Sequence, residues 1–147
     1  MIWFTSDTHF GHANVLHFTD RPFGDIAHMN RALINAINER VAPTDDLYIL
    51  GDFSYQMTAA EAAALRSKIN CRKVHIVPGN HDKDWTHKDV AGTFIVEPPI
   101  VRINIHGQKI VLSHYPLMEW QSMSRGSWHL HGHIHSAGSV YKELNRK

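Results

Sequence analysis

Val74-His75-Ile76-Val77-Pro78-Gly79-Asn80-His81-Asp82 reads as a short apolar strand that stops abruptly and hands the chain to a polar cluster. Pro78-Gly79 breaks the strand, and the polar residues follow at once. Toward the N-terminus the same pattern occurs twice more. Leu47 to Leu50 is a strand stopped by Gly51-Asp52, and Ile2 to Ser6 is a strand that runs into Asp7-Thr8-His9. Helices are expected between them. Asp25 caps the first, in which Ile26, Met29, Leu33, Ile37 and Val41 recur at helical spacing until Pro43-Thr44. Thr58 and Glu61 form a capping box for an alanine-rich helix through Ile69. Strand, helix, strand, helix, strand argues for a parallel sheet covered by helices.

Toward the C-terminus helix gives way to strand. Thr93 to Val96, Ile100 to Ile105, Lys109 to Leu112 and Ser127 to Leu130 read as strands, with a hairpin turn at His106-Gly107-Gln108. The expected fold class is α/β, a sandwich of mixed sheets flanked by helices, with the later strands forming or extending a second sheet. The 147 residues suit one domain over 1–147.

Composition narrows the chemistry. Lys and Arg number 15 against 14 Asp and Glu, so a net charge of +1 makes no electrostatic case for bulk nucleic-acid binding. The single cysteine, Cys71, excludes an internal disulfide and a cysteine-built zinc site. Any metal would sit on His, Asp, Glu, Asn or backbone oxygen. The 13 histidines are the unusual feature, because imidazole is the commonest metal ligand. Met1-Ile2-Trp3-Phe4 is too short for a signal peptide, and no stretch approaches the ~20 apolar residues of a membrane span. A cytoplasmic location is the default expectation.

The polar residues gather at strand ends: Asp7-Thr8-His9, Gly51-Asp52, Gly79-Asn80-His81-Asp82, Ser113-His114 and Gly132-His133-Ile134-His135. Ligands of open α/β sheets bind beyond the carboxyl ends of strands, so five distant clusters point at one crevice. Three Asp, one Asn and several His make a mixed oxygen and imidazole set, suited to Mn, Fe, Zn, Co or Ni more than to calcium. The set exceeds what one catalytic ion needs, which is about three protein ligands. Two ions fit better, ~3.5–4 Å apart, and a carboxylate can bridge them.

Asp7-x-His9, Gly51-Asp52 with Ser54, Gly79-Asn80-His81-Asp82, Ser113-His114 and Gly132-His133-x-His135 stand in the order of the calcineurin-like metallophosphoesterase motifs. The resemblance spans residues 7 to 135. The longer forms Ser6-Asp7-Thr8-His9-Phe10-Gly11-His12 and Leu50-Gly51-Asp52-Phe53 look like small stand-alone bacterial and phage members, without a cap domain. The resemblance implies a metallophosphoesterase-type sandwich. It implies one metal on Asp7, His9, Asp52 and His135 and a second on Asp52, Asn80, His114 and His133. His81 would contact the phosphate or protonate the leaving group, Asp82 would orient it, and a metal-bound hydroxide would attack phosphorus. The second motif often ends in Asp or Asn where this chain has Ser54, which puts that residue's supporting role in doubt.

The expected function is a two-metal phosphoester hydrolase, with a phosphodiesterase favoured, Mn²⁺ the first choice of ion and Fe, Zn, Co or Ni alternatives. The substrate expected is a small phosphoester or nucleotide-like molecule, with nucleic acid as an alternative and no evident protein partner. His12, Arg21, Tyr115, Trp120 and Arg125 are the candidate substrate contacts. Competing readings are a phosphomonoesterase or nuclease on the same site, and an inactive metal-binding partner module. In a strand, His129, His131, His133 and His135 would share one face. Only the last two match the motif, so His129 and His131 are expected to support the site or face solvent. His75 reads as a satisfied core histidine.

Overall fold

Strand β1 (Ile2–Thr5) pairs in parallel with β2 (Asp46–Ile49), and β2 pairs in parallel with β3 (Lys73–Ile76). This computed structural model describes residues 1–18 and 21–135. A fourth parallel strand, β4 (Ile95–Val96), closes the sheet in the order β1-β2-β3-β4. The register sets Phe4, Tyr48, His75 and Ile95 in one row. Alternation then sends the neighbouring residues to the opposite face.

That opposite face carries Trp3, Leu47, Ile49, Val74 and Ile76, packed with Ile34, Leu33, Ile37, Ala62 and Leu65. These come from helices α2 (Ile26–Arg40) and α3 (Ala59–Ser67). Asp25 caps α2 by accepting the His28 backbone N–H, and Thr58 with Glu61 forms the expected capping box on α3. Both helices stop short of the expected ends. Val41 turns extended and buries itself beneath the helix it ends, and Ile69 is buried beyond the end of α3. A single short turn, α1 (Val15–Phe18), went unread in the sequence because four residues carry no periodicity.

The second sheet pairs β5 (Ile100–Ile105) antiparallel with β6 (Gln108–Ser113), and β6 parallel with β7 (Trp128–Leu130). His106 and Gly107 both take positive φ, as a two-residue hairpin turn requires. Leu50, Val77, Val101, Ile110 and Leu112 fill the space between the sheets, with Phe4, Tyr48, Ile103, Ile105 and Leu130 around them. Each fully buried aliphatic side chain there contributes about 1.5–3 kcal/mol of transfer free energy. The fold is therefore the expected α/β sandwich. Its first sheet is wholly parallel and its second mixed among the described residues.

Two expectations change. The strand expected from Thr93 is only Ile95–Val96, because the Thr93 hydroxyl closes a turn on the Val90 carbonyl. Strand β7 ends at Leu130, so the four histidines do not line one strand face: His133 and His135 sit in a turn at φ 73° and 41°. Tyr48 stacks on His75 at 4.2 Å, and His75 bridges Glu97 (2.7 Å) and Asp46 (3.3 Å), which makes it a fully partnered histidine.

Candidate metal centre

Parallel pairing between β1 and β2 does not stop where the strands do. Asp7 N–H donates to the Gly51 carbonyl, His9 N–H to Asp52, Phe10 N–H to Phe53 and Tyr55 N–H to Phe10, all at 2.9–3.0 Å. The first two polar clusters are thus knitted to each other. Asp7, His9 and Asp52 take φ of 51°, 49° and 54°, the left-handed region. A residue with a Cβ is held there at a cost of about 1–2 kcal/mol. His133 and His135 share this conformation. Strain concentrated on five candidate ligands is what a site imposes when side chains are aimed rather than packed.

Gly51 and Gly132 make the close approach possible. A Cβ on Gly51, itself at φ 84°, would run into the His114 ring, and one on Gly132 would run into the Asp7 carboxylate. The Gly132 segment is pinned further by its neighbour: His133 N–H lies 3.1 Å from both Asp7 carboxylate oxygens.

The side chains converge in two groups, Asp7 with His9 and His135, and Asp52 with His114 and His133. In the first, His9 Nε2 and His135 Nε2 face each other at 3.1 Å, with Asp7 Oδ1 at 3.7 and 3.5 Å from them. In the second, Asn80 Oδ1 lies 3.0 Å from His114 Nε2 and 3.1 Å from His133 Nδ1. Asp52 Oδ2 is 3.5 Å from His9 Nε2 and equally 3.5 Å from His114 Nε2. One carboxylate therefore touches both groups. All seven candidate ligands of the sequence come together.

The donor set fits cations. Lone pairs of ring nitrogens, carboxylates and an amide oxygen aim at common points, and such atoms repel unless a positive charge lies between them. The His114 tautomer agrees: its Nδ1–H donates to the Leu50 carbonyl at 2.8 Å, leaving the Nε2 lone pair directed into the site. Burial alone would raise the Asp7 carboxyl, but hydrogen bonding to His9 and Ser6 and the nearby His135 hold it below the ordinary range. Burial depresses His135, which keeps it neutral and able to ligate.

His81 is exposed at the rim, and its backbone N–H donates to Asp52 Oδ1 at 2.9 Å. Its ring meets His9 and Tyr55 edge to face, at 5.8 and 4.8 Å between centroids. The expected link from Asp82 to the His81 ring is not what the side chain makes. Its carboxylate accepts the backbone N–H groups of Asp52, Phe53 and Gly79 at 2.8–2.9 Å. Burial pushes the Asp82 carboxyl up, against those three hydrogen bonds.

The candidate substrate contacts separate. Tyr115 packs edge-on against His114 and His133, at 5.0 and 4.7 Å, and is half-exposed beside the second group. His12 stacks on Tyr55 at 3.8 Å, beside the first group. Arg21 is committed to the Asp7 and Thr8 carbonyls at 2.7 and 2.8 Å. Trp120 and Arg125 line a separate cavity of about 460 Å³ that includes no candidate ligand. His129 is structural: its Nδ1–H donates to the Val111 carbonyl and its Nε2 accepts the Leu117 N–H. The hydroxyl of Ser54 is buried without a hydrogen-bond partner among the described residues. Tyr55 went unread in the sequence, although it follows directly on the second motif.

The family model for the calcineurin-like phosphoesterase superfamily domain matches residues 1–145. An uncharacterized protein of Methanocaldococcus jannaschii is 32% identical over 135 residues, which cover 92% of this chain and 69% of that protein. The gene 66 protein of Mycobacterium phage L5 is 27% identical over 172 residues, 99% of this chain and 82% of its own length. Among solved structures, a protein of unknown function from Aquifex aeolicus superposes with a TM-score of 0.64 at 30% identity. The match covers 79% of this chain but 61% of that one, so this chain spans less than two thirds of that protein.

Proposed function

This chain belongs to the calcineurin-like phosphoesterase superfamily, and from that premise we propose that it hydrolyses phosphoesters at a centre of two divalent metal ions. The observation that carries the reading is the position of Asp52 Oδ2, 3.5 Å from a nitrogen of each ligand group. Asp7, His9, Asp52 and His135 would hold one ion, and Asp52, Asn80, His114 and His133 the other. The nitrogen and oxygen donors suit Mn²⁺ first, with Fe, Zn, Co or Ni as alternatives. Bound ions would supply Lewis acidity and activation of water. The chain's own residues do the rest. His81, exposed at the rim and tethered through its backbone to Asp52, meets the phosphate or gives the leaving oxygen its proton. The Leu50 carbonyl fixes the His114 tautomer, and Asp82 fixes the backbone that presents Asp52.

A phosphodiester is the favoured substrate. Supporting this, the ion-pair partners of Asp7 and Asp52 among the described residues are histidines, and Arg21 spends its guanidinium on the Asp7 and Thr8 carbonyls. Tyr115, half-exposed beside the second ligand group, gives one substituent on phosphorus an aromatic surface. The test is hydrolysis of bis-p-nitrophenyl phosphate and p-nitrophenyl phosphate after chelation and after Mn²⁺ is restored. Chelation should abolish turnover of both, and the restored protein should favour the diester in kcat/KM. Full activity of verified metal-free protein refutes the metal reading. A monoester preference refutes only the choice of substrate.

A further inference from the structure

We propose that Tyr55 is a positioning residue, whose ring, backed by His12, holds the His81 imidazole in its working orientation. The proposal rests on the role given above to His81. Among the described residues the His81 ring makes no hydrogen bond; what touches it is aromatic, the Tyr55 ring at 4.8 Å and 79° and the His9 ring at 5.8 Å and 60°. An imidazole on an exposed loop has two rotatable side-chain bonds, and proton transfer or phosphate contact demands one setting of them. Edge-to-face packing supplies the missing restraint at about 0.5–1.5 kcal/mol per ring pair. His9, a candidate metal ligand, lies farther off, so Tyr55 supplies the closer of the two restraints.

Tyr55 is itself held firmly. Its N–H donates to the Phe10 carbonyl at 2.9 Å, and Ser54 bridges Phe10 in parallel. The second cluster therefore extends along the first as a short ladder that reaches Tyr55, while His12 sits in a turn whose N–H donates to the His9 carbonyl at 3.0 Å. Their rings stack at 3.8 Å and 27°, so His12 closes one face of the phenol. Ser54, whose supporting role the departure from the motif put in doubt, is buried with its hydroxyl unpartnered among the described residues.

The test uses the metal-loaded enzyme and the metal-free protein. Tyr55→Leu should lower kcat on bis-p-nitrophenyl phosphate about tenfold or more, short of the ~10²–10⁴-fold expected for His81→Ala, with KM and metal content unchanged. Tyr55→Phe, which keeps the ring, should restore most of that rate. In a His81→Ala background Tyr55→Leu should cost nothing further. In the metal-free protein, the His81 ring signals in nuclear magnetic resonance should move in Tyr55→Leu and return in Tyr55→Phe. His12→Ala, which leaves the backbone ladder intact, should lower kcat in the same direction by less. Full multiplicative losses in the Tyr55→Leu, His81→Ala double variant, or unmoved His81 signals, overturn the proposal. A crippled His81→Ala beside an unimpaired Tyr55→Leu overturns it and leaves the role of His81 standing; an active His81→Ala removes both.

Discussion

The Asp82 carboxylate accepts a 2.8 Å hydrogen bond from the backbone N–H of Asp52. With the Phe53 and Gly79 amides also on it, this one side chain ties the second motif loop to the third. Asp82→Ala would leave three amides without partners, at about 1–3 kcal/mol for each that stays buried. We expect a loss of about 2–5 kcal/mol in urea unfolding of the metal-free protein, and weaker metal binding, because the Asp52 backbone loses its anchor. Asp82→Asn keeps two or fewer of the acceptor contacts and should fall between. A variant with full stability and full metal content but slow turnover would return Asp82 to the expected role on His81.

Gly132 sits where a methyl group would strike the Asp7 carboxylate, the Ser6 side chain and the Leu50 carbonyl at once. None of these can yield cheaply, since Asp7 is fixed by His133 N–H and Leu50 O by His114. Gly132→Ala should therefore spoil the ligand group of Asp7, His9 and His135. Metal titration by calorimetry should show one binding event lost or weakened tenfold or more while the other persists. Two undisturbed binding events would show that the loop adapts.

How far the sequence was legible follows from which interactions are local. The parallel sheet, both capped helices and the hairpin turn were readable because strand alternation, capping residues and turn glycines act within a few positions. That these polar clusters would meet was readable because each follows a strand end of one or the other sheet, while the choice of seven residues as candidate ligands came from the family resemblance. The orientation of Asp82 was not readable: it is settled by amides 29 and 30 residues away. The same holds for Arg21, whose acceptors are carbonyls 13 and 14 residues back, and carbonyls leave no mark in a sequence. The run from His129 to His135 misled through its own alternation, which persists after the strand has ended at Leu130.

Burial depresses the imidazoles of His12, His129 and His135 below the ordinary value. The unfolded chain then binds more protons than the folded one as pH falls through about 6.5, so stability declines in that direction. The stabilising contribution is present above pH ~6.5 and is lost as pH falls through the lower folded values. Asp7, held below the usual carboxylate range, adds its own loss only under about pH 4. Urea midpoints of the metal-free protein should fall steadily from pH 7 toward pH 5. A midpoint that is flat or rises over that interval contradicts the assignment of these three rings as neutral in the folded state.

Arg21 is the sharpest case of a residue whose role the fold reassigns. A phosphate-binding arginine needs its fork free, yet this guanidinium spends two of its nitrogens on the Asp7 and Thr8 carbonyls and lies against the Met29 sulfur. Asp7 and His9 hold left-handed backbone on either side of Thr8, so the loop carries strain that the clamp offsets. Arg21→Ala should lower stability by about 1–3 kcal/mol, a range reduced for the partial exposure of the guanidinium, and should weaken the metal group that includes Asp7. Arg21→Lys keeps the charge but can reach only one carbonyl at a time, so it should recover part of the stability. Substrate KM in metal-saturated protein should change less than twofold if the role is to hold the loop. A large rise in KM at unchanged stability and metal affinity would instead place the guanidinium on the substrate phosphate. Urea unfolding, metal titration and KM measured on the same three proteins separate the two outcomes.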